Sequence, residues 1–109
     1  MQEDYEVWNI EEMLKAYADI PDMADGVKMT MDSLFLFLEN NSLLTCPVSD
    51  GNGRIIKTAI WSNELTEEGN RLSDGPKNAV HRWLGSKGSQ KIPPDMMILE
   101  KALAEIRSE

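Results

Sequence analysis

Leu34-Phe35-Leu36-Phe37-Leu38 is the most apolar run in the chain, and it opens the stretch, residues 30–72, on which the fold turns. After it come Glu39-Asn40-Asn41, Ser42-Leu43-Leu44, the turn sequence Asp50-Gly51-Asn52-Gly53, and Leu65-Thr66-Glu67-Glu68-Gly69. The run reads as a helix that Thr30 or Asp32 can cap and that ends near Asn41. Leu34, Phe35 and Leu38 make one face, while Met29, Leu36 and Phe37 leave another. A helix apolar nearly all round is central to a core or covered by a partner. A buried strand is the alternative for so short a run.

Beyond it, residues 43–48 change spacing towards a strand. Gly and Asn in Asp50-Gly51-Asn52-Gly53 tolerate the positive φ that a tight hairpin needs. Residues 54–61 alternate, with Ile56, Thr58 and Ile60 on one face and Ile55, Lys57, Ala59 and Trp61 on the other, as a return strand does. Ser62 or Asn63 breaks the strand. Thr66 can cap a helix over residues 67–73, with Glu67 and Glu68 in its first turn.

Towards the N-terminus, Ile10, Met13, Leu14, Tyr17, Ala18 and Ile20 recur in steps that suit a helix over residues 8–20. Asn9 can cap it, and Pro21 stops it. Residues 22–26 then form a short link or a single turn ended by Gly26. Towards the C-terminus, Asp74-Gly75-Pro76 interrupts the chain, and Pro76 can open a helix over residues 76–84 carrying Ala79, Val80, Trp83 and Leu84. Gly85-Ser86-Lys87-Gly88-Ser89 reads as a flexible loop. Residues 95–107 form an amphipathic helix with Met97, Ile98, Leu99, Ala102, Leu103 and Ile106 inward. The expected architecture is α+β, mainly α, with about four to five helices and one two-stranded β-hairpin in a single domain over residues 1–109.

Leu38-Glu39-Asn40-Asn41-Ser42-Leu43-Leu44, then a hairpin, then Leu65-Thr66-Glu67-Glu68-Gly69-Asn70-Arg71-Leu72 resembles the second half of a winged helix-turn-helix domain. Members often close the helix before the wing in this way and follow the wing with Leu-Thr-x-x-Gly-x-x-Leu. The resemblance covers about forty residues. It implies a winged-helix-like fold, with the helix before the wing as the groove reader and the wing near phosphates. Leu65 and Leu72 then pin the following helix to the core.

The 109 residues suit one domain with a modest core. No apolar run approaches the roughly 20 residues of a membrane span. The acidic start, Met1-Gln2-Glu3-Asp4, lacks the basic and apolar regions of a signal peptide, so a cytoplasmic setting is expected. Cys46 is the only cysteine, which rules out an internal disulfide; a small buried hydrophobe in a strand is the expected role.

The net charge is −8 and unevenly spread. Residues 1–53 hold eleven acids against Lys15 and Lys28, whereas residues 54–109 hold nine bases against eight acids. So acidic a half repels phosphate and attracts basic surfaces. Between Lys28 and Arg54 there is no Lys or Arg, while a groove-reading helix uses Arg, Lys, Asn or Gln. The expected function is a non-enzymatic, acidic protein-interaction module that takes a partner protein with a basic surface. By compositional analogy it is an immunity-protein or antitoxin type of inhibitor. Its expected contacts are Glu11, Glu12, Asp19, Asp22, Asp25 and Asp32, with Trp61 as an apolar anchor. The alternative is a winged-helix transcription regulator, dimeric through the C-terminal helix, with Arg54, Lys57, Lys77, Arg82 and Lys87 on phosphates.

The remaining patterns are bland. Asp50, Asn52 and Gly53 match the middle of an EF-hand loop, but its first and last ligand positions fall on Val48 and Ala59, which cannot coordinate calcium. His81 is the only histidine, too few for a metal site of the usual Cys/His spacing, and reads as a surface residue. Lys77, Arg82, Lys87 and Lys91 form a basic segment that suits a solvated surface, a phosphate or the acidic half. Residues 85–89 lack the full phosphate-loop signature. No nucleophile elbow, metal cluster or cofactor loop is present, so neither a cofactor nor an enzymatic activity is expected.

Overall fold

Leu34, Phe35 and Leu38 are helical and wholly buried in a computed structural model that describes residues 5–73, 78–91 and 93–108. The fold is α+β and mainly helical, with five α-helices and one two-stranded antiparallel sheet among the described residues. The chain divides into two compact units, one reaching to Thr66 and the other beginning at Glu67.

In the first unit, strand β1 (Glu6–Asn9) leads into helix α1 (Ile10–Ala16). Asn9 caps α1 as expected: its Oδ1 accepts from the Glu12 N–H at 3.0 Å. The helix starts later than the periodicity suggested, because β1 pairs with strand β2 (Ala59–Trp61), setting Trp8 opposite Ile60 and Asn9 opposite Ala59. The other boundary also moves. A residue before proline is held out of the helical region, and Ile20 is extended at φ −132°. Pro21 therefore opens a helix rather than merely ending one.

That helix, α2 (Pro21–Asn40), runs for 20 residues. It passes straight through Gly26, where a link was expected, and through Thr30 and Asp32, which were expected to cap. An interior glycine costs a helix about 1 kcal/mol, too little to break one whose far half is anchored in a core. Met31, Leu34, Phe35, Phe37 and Leu38 supply that anchor. The end of α2 is a Schellman closure: the Leu43 N–H bonds the Leu38 carbonyl at 2.9 Å and the Ser42 N–H that of Glu39 at 3.2 Å. Ser42 takes the left-handed conformation this requires, at φ 60°.

The turn at residues 50–53 forms as its sequence dictates. Gly51 and Gly53 have positive φ, and Asp50 Oδ1 accepts from the Asn52 N–H at 2.8 Å. The long hairpin around it does not form; the arms meet in a single bridge, Ser49 to Ile55. Two causes act on the arriving arm. Pro47 has no N–H to offer a ladder. The Val48 and Ser49 N–H groups go to Glu39 Oε1, at 2.8 and 3.0 Å. Leu44 bridges Leu65 instead, and β2 finds β1. The two-stranded sheet is therefore built from segments distant in sequence.

The second unit holds α3 (Glu67–Ser73), α4 (Ala79–Leu84) and α5 (Met97–Arg107), packed on one another. The α3 bounds match the expected ones, and both Leu65 and Leu72 are buried. Asn78 caps α4 through the His81 N–H at 2.9 Å; the expected opening at Pro76 lies outside the described residues. Trp83 is fully buried and donates its indole N–H to the Asp95 carbonyl at 2.7 Å. Residues 85–89 are more ordered than a flexible linker. Ser89 is buried with its hydroxyl on the Ser86 carbonyl at 3.0 Å, and residues 88–90 make a 3₁₀ turn. Of the expected inward face of α5, Leu99, Ala102 and Leu103 are buried, whereas Met97 is exposed.

Candidate functional site

The two halves of α2 differ in what covers them. Residues 31–38 contain five buried side chains, and residues 21–30 contain none. Yet Ile20, Ala24, Val27, Met31, Leu34 and Leu38 follow one another in steps of three or four, so one apolar stripe runs the full length of the helix. Over the second half the stripe is core. Over the first half Ala24 and Val27 are partly covered, while Ile20 and the adjacent Met23 are each 48% exposed.

The acids expected to face a partner stand around this uncovered half. Glu11 and Glu12 lie exposed in the first turn of α1, which packs on α2. Asp19 sits exposed just before α2; Asp22 and Asp25 are exposed on its first half. Asp32 is half-buried and bound to Lys28 at 2.6 Å, and Glu12 holds Lys15 at 3.2 Å. Both bases of this segment are thus committed to acids. Glu11, Asp19, Asp22 and Asp25 form no ion pair among the described residues. Glu11, Glu12 and Asp22 have a local use, since first-turn acids complement the helix dipole. Asp19 and Asp25 have neither a helix-end position nor a cation.

Trp61 is 42% exposed at the end of β2, opposite Glu6 and close to Tyr5, whose carbonyl accepts from the Ser62 N–H at 2.8 Å. It belongs to the sheet, not to the helical surface carrying the acids. The side chain of Lys57 is tied to Glu64 at 2.9 Å and is unavailable to a phosphate unless that pair opens. Arg54 is exposed on the tight turn, and Arg82 and Lys87 are exposed in the second unit; Lys77 lies outside the described residues. The helix before the turn, expected to read a groove, presents Asp32, Ser33, Leu36 and Glu39 partly exposed and only Asn40 fully so. The outer face of α5, the expected dimer contact, is Glu100, Lys101, Ala104, Glu105 and Arg107, with Met97 its one exposed large apolar group.

Two polar clusters were not anticipated. Glu39 Oε2 accepts from the Ser49 hydroxyl at 2.6 Å, and its other oxygen takes the two backbone N–H groups named above. The Ser49 hydroxyl and then the backbone donors hold its carboxyl below the usual glutamate range. This lock joins the end of α2 to the turn. In the second cluster Cys46 is half-buried outside any strand, and its thiol donates to Glu64 Oε2 at 3.1 Å. The bond to Glu64, burial and the Glu64 charge raise the thiol pKa, so the group is a poor nucleophile. Burial pushes Glu64 up, but hydrogen bonds from Lys57, Cys46 and the Trp61 N–H, with the Lys57 charge, carry it below its ordinary value.

Among the described residues no helix is long and apolar enough to cross a membrane, and no group of His, Cys, Asp and Glu has the makings of a metal site. Comparison of the chain with family models, curated proteins and solved structures finds no match.

Proposed function

We propose that the chain is a non-enzymatic protein-interaction module whose first unit docks a basic partner protein through the acidic surface of α1 and the first half of α2. The observation that carries this reading is the surplus of unpaired carboxylates on that surface: both lysines there are already neutralised, leaving Glu11, Asp19, Asp22 and Asp25 to set its potential. Such a field speeds encounter with a basic surface and rejects phosphate. The proposed setting is the cytoplasm, and the proposed role is inhibition of the immunity or antitoxin kind. Affinity capture from the native host, comparing the chain with a variant in which Glu11→Gln, Asp19→Asn, Asp22→Asn and Asp25→Asn are combined, tests it. The expected result is a basic protein retained by the first and lost by the second. Equal capture by both removes the reading.

The winged-helix regulator is the second reading, favoured by Arg54 exposed on the tight turn. It needs steeply salt-dependent retention on duplex DNA, and no retention at low salt ends it.

A further inference from the structure

We infer that the uncovered first half of α2 is the seat of an amphipathic, basic helix from a partner protein, which completes the apolar stripe of Ile20, Met23 and Val27. This rests on the reading of the first unit as a docking module and adds the shape and chemistry of what docks.

Three features of the helix converge on it. The stripe continues in phase from the core, so the first half of α2 is patterned for burial although nothing among the described residues buries it. Ile20 occupies the N-cap position and makes no side-chain capping bond. Helices favour Ser, Thr, Asp or Asn there, so a 48%-exposed isoleucine breaks a local rule without a compensating contact in this chain. Gly26 weakens the same half, and nothing lies within 4 Å of where its Cβ would sit. A partner packed along this half supplies the missing contact for the first two features and has room to approach closely at the third.

Charge selects the occupant. Asp19, Asp22 and Asp25 lie within one turn or two of the stripe, well inside a Debye length of about 8–10 Å. A second copy of the chain on the same stripe brings its own acids against these and is repelled. Anionic lipid and nucleic acid are repelled for the same reason. A helix with an apolar face and flanking Lys or Arg satisfies both the stripe and the carboxylates, and lays its side chains in as helix-in-groove ligands do.

The test uses the full chain and three synthetic peptides of about 18 residues, roughly five helical turns. One is a Leu/Lys peptide with leucines at helical spacing, the second has the same composition with the leucines scrambled, and the third replaces Lys by Glu. Binding is followed by fluorescence anisotropy at low and moderate salt. The patterned basic peptide is expected to bind about tenfold more tightly than the scrambled one, as burial of one or two large apolar side chains predicts. Met23→Ser is expected to remove that advantage without changing the scrambled peptide. Because Met23 is exposed, the variant keeps its fold, which circular dichroism checks.

Equal binding of the patterned and scrambled basic peptides, both indifferent to Met23→Ser, overturns this inference and leaves the acidic docking surface standing. Binding of neither basic peptide at low salt overturns both. Tight binding of the Glu peptide overturns the charge selection. Self-association in sedimentation velocity that Met23→Ser abolishes overturns the choice of occupant in favour of a second copy.

Discussion

The first half of α2 and its second half are one helix with one apolar stripe and two different fates. In residues 31–40 the stripe meets the rest of its unit, Glu39 locks the helix end to the turn, and a Schellman closure stops it. In residues 21–30 the helix has an uncapped start, an interior glycine, exposed Ile20 and Met23, and acids without partners. Most helical stability comes from packing rather than propensity. The second half therefore holds the first in place, and the first is left free to be shaped by something other than folding.

Substitution along the stripe is the strongest way to break this contrast. Phe35→Ala is expected to remove about 3–5 kcal/mol in urea denaturation, because it empties a fully buried site. Met23→Ala on the same helix should move stability by no more than about 0.5 kcal/mol. Similar losses for the two would mean that the first half is packed after all.

Acid comes next. Glu39 and Glu64 both titrate below their ordinary value of 4.5 when folded, so the stability they contribute is complete above that value. It is lost as the pH falls through their lower folded values. Urea midpoints measured downward from neutral pH should decline below 4.5, and Glu39→Gln should flatten part of the decline. An unchanged acid profile in that variant would deny the lock its role.

Smaller effects, of the opposite sign, belong to the first half. Gly26→Ala should stabilise the chain by about 1 kcal/mol, since the added methyl meets nothing within 4 Å. Ile20→Ser should add about 0.5–1 kcal/mol by supplying the missing cap, while weakening the patterned basic peptide. A gain in thermal midpoint together with a loss in binding would mark this half as kept below its best stability. Asp25→Asn should be nearly silent in stability, within about 0.5 kcal/mol, and show itself only as a shallower salt dependence of binding.

Much of the local structure was legible in the residues. Asn9 as a cap, the glycine turn at 50–53, the helix over 67–73 and the amphipathic α5 all depend on neighbours a few positions away. Pro21 and Gly26 misled the reading because each has two meanings. A proline ends one helix and opens the next, and a glycine interrupts only a helix that has no anchor beyond it. The candidate site was half visible. Its acids stand out in composition, but the stripe through Ile20, Ala24 and Val27 was hidden while the helix was cut at Gly26. Read across that glycine, the spacing from Ile20 to Leu38 is continuous, and that signal was in the sequence.

What the amino-acid order determined alone is the set of elements that short-range hydrogen bonds and side-chain spacing can specify, together with the acidic first half. What only the tertiary structure decided is which segments pair and which apolar face stays open. Strand β2 could not be assigned to β1 from sequence, because the competing arm was disabled by groups elsewhere: Pro47 lacks a donor, and Glu39 occupies the N–H groups of Val48 and Ser49. The exposure of Ile20 and Met23 is likewise a property of what fails to pack on them, and periodicity records only that a face is apolar, not whether the chain has enough partners to cover it.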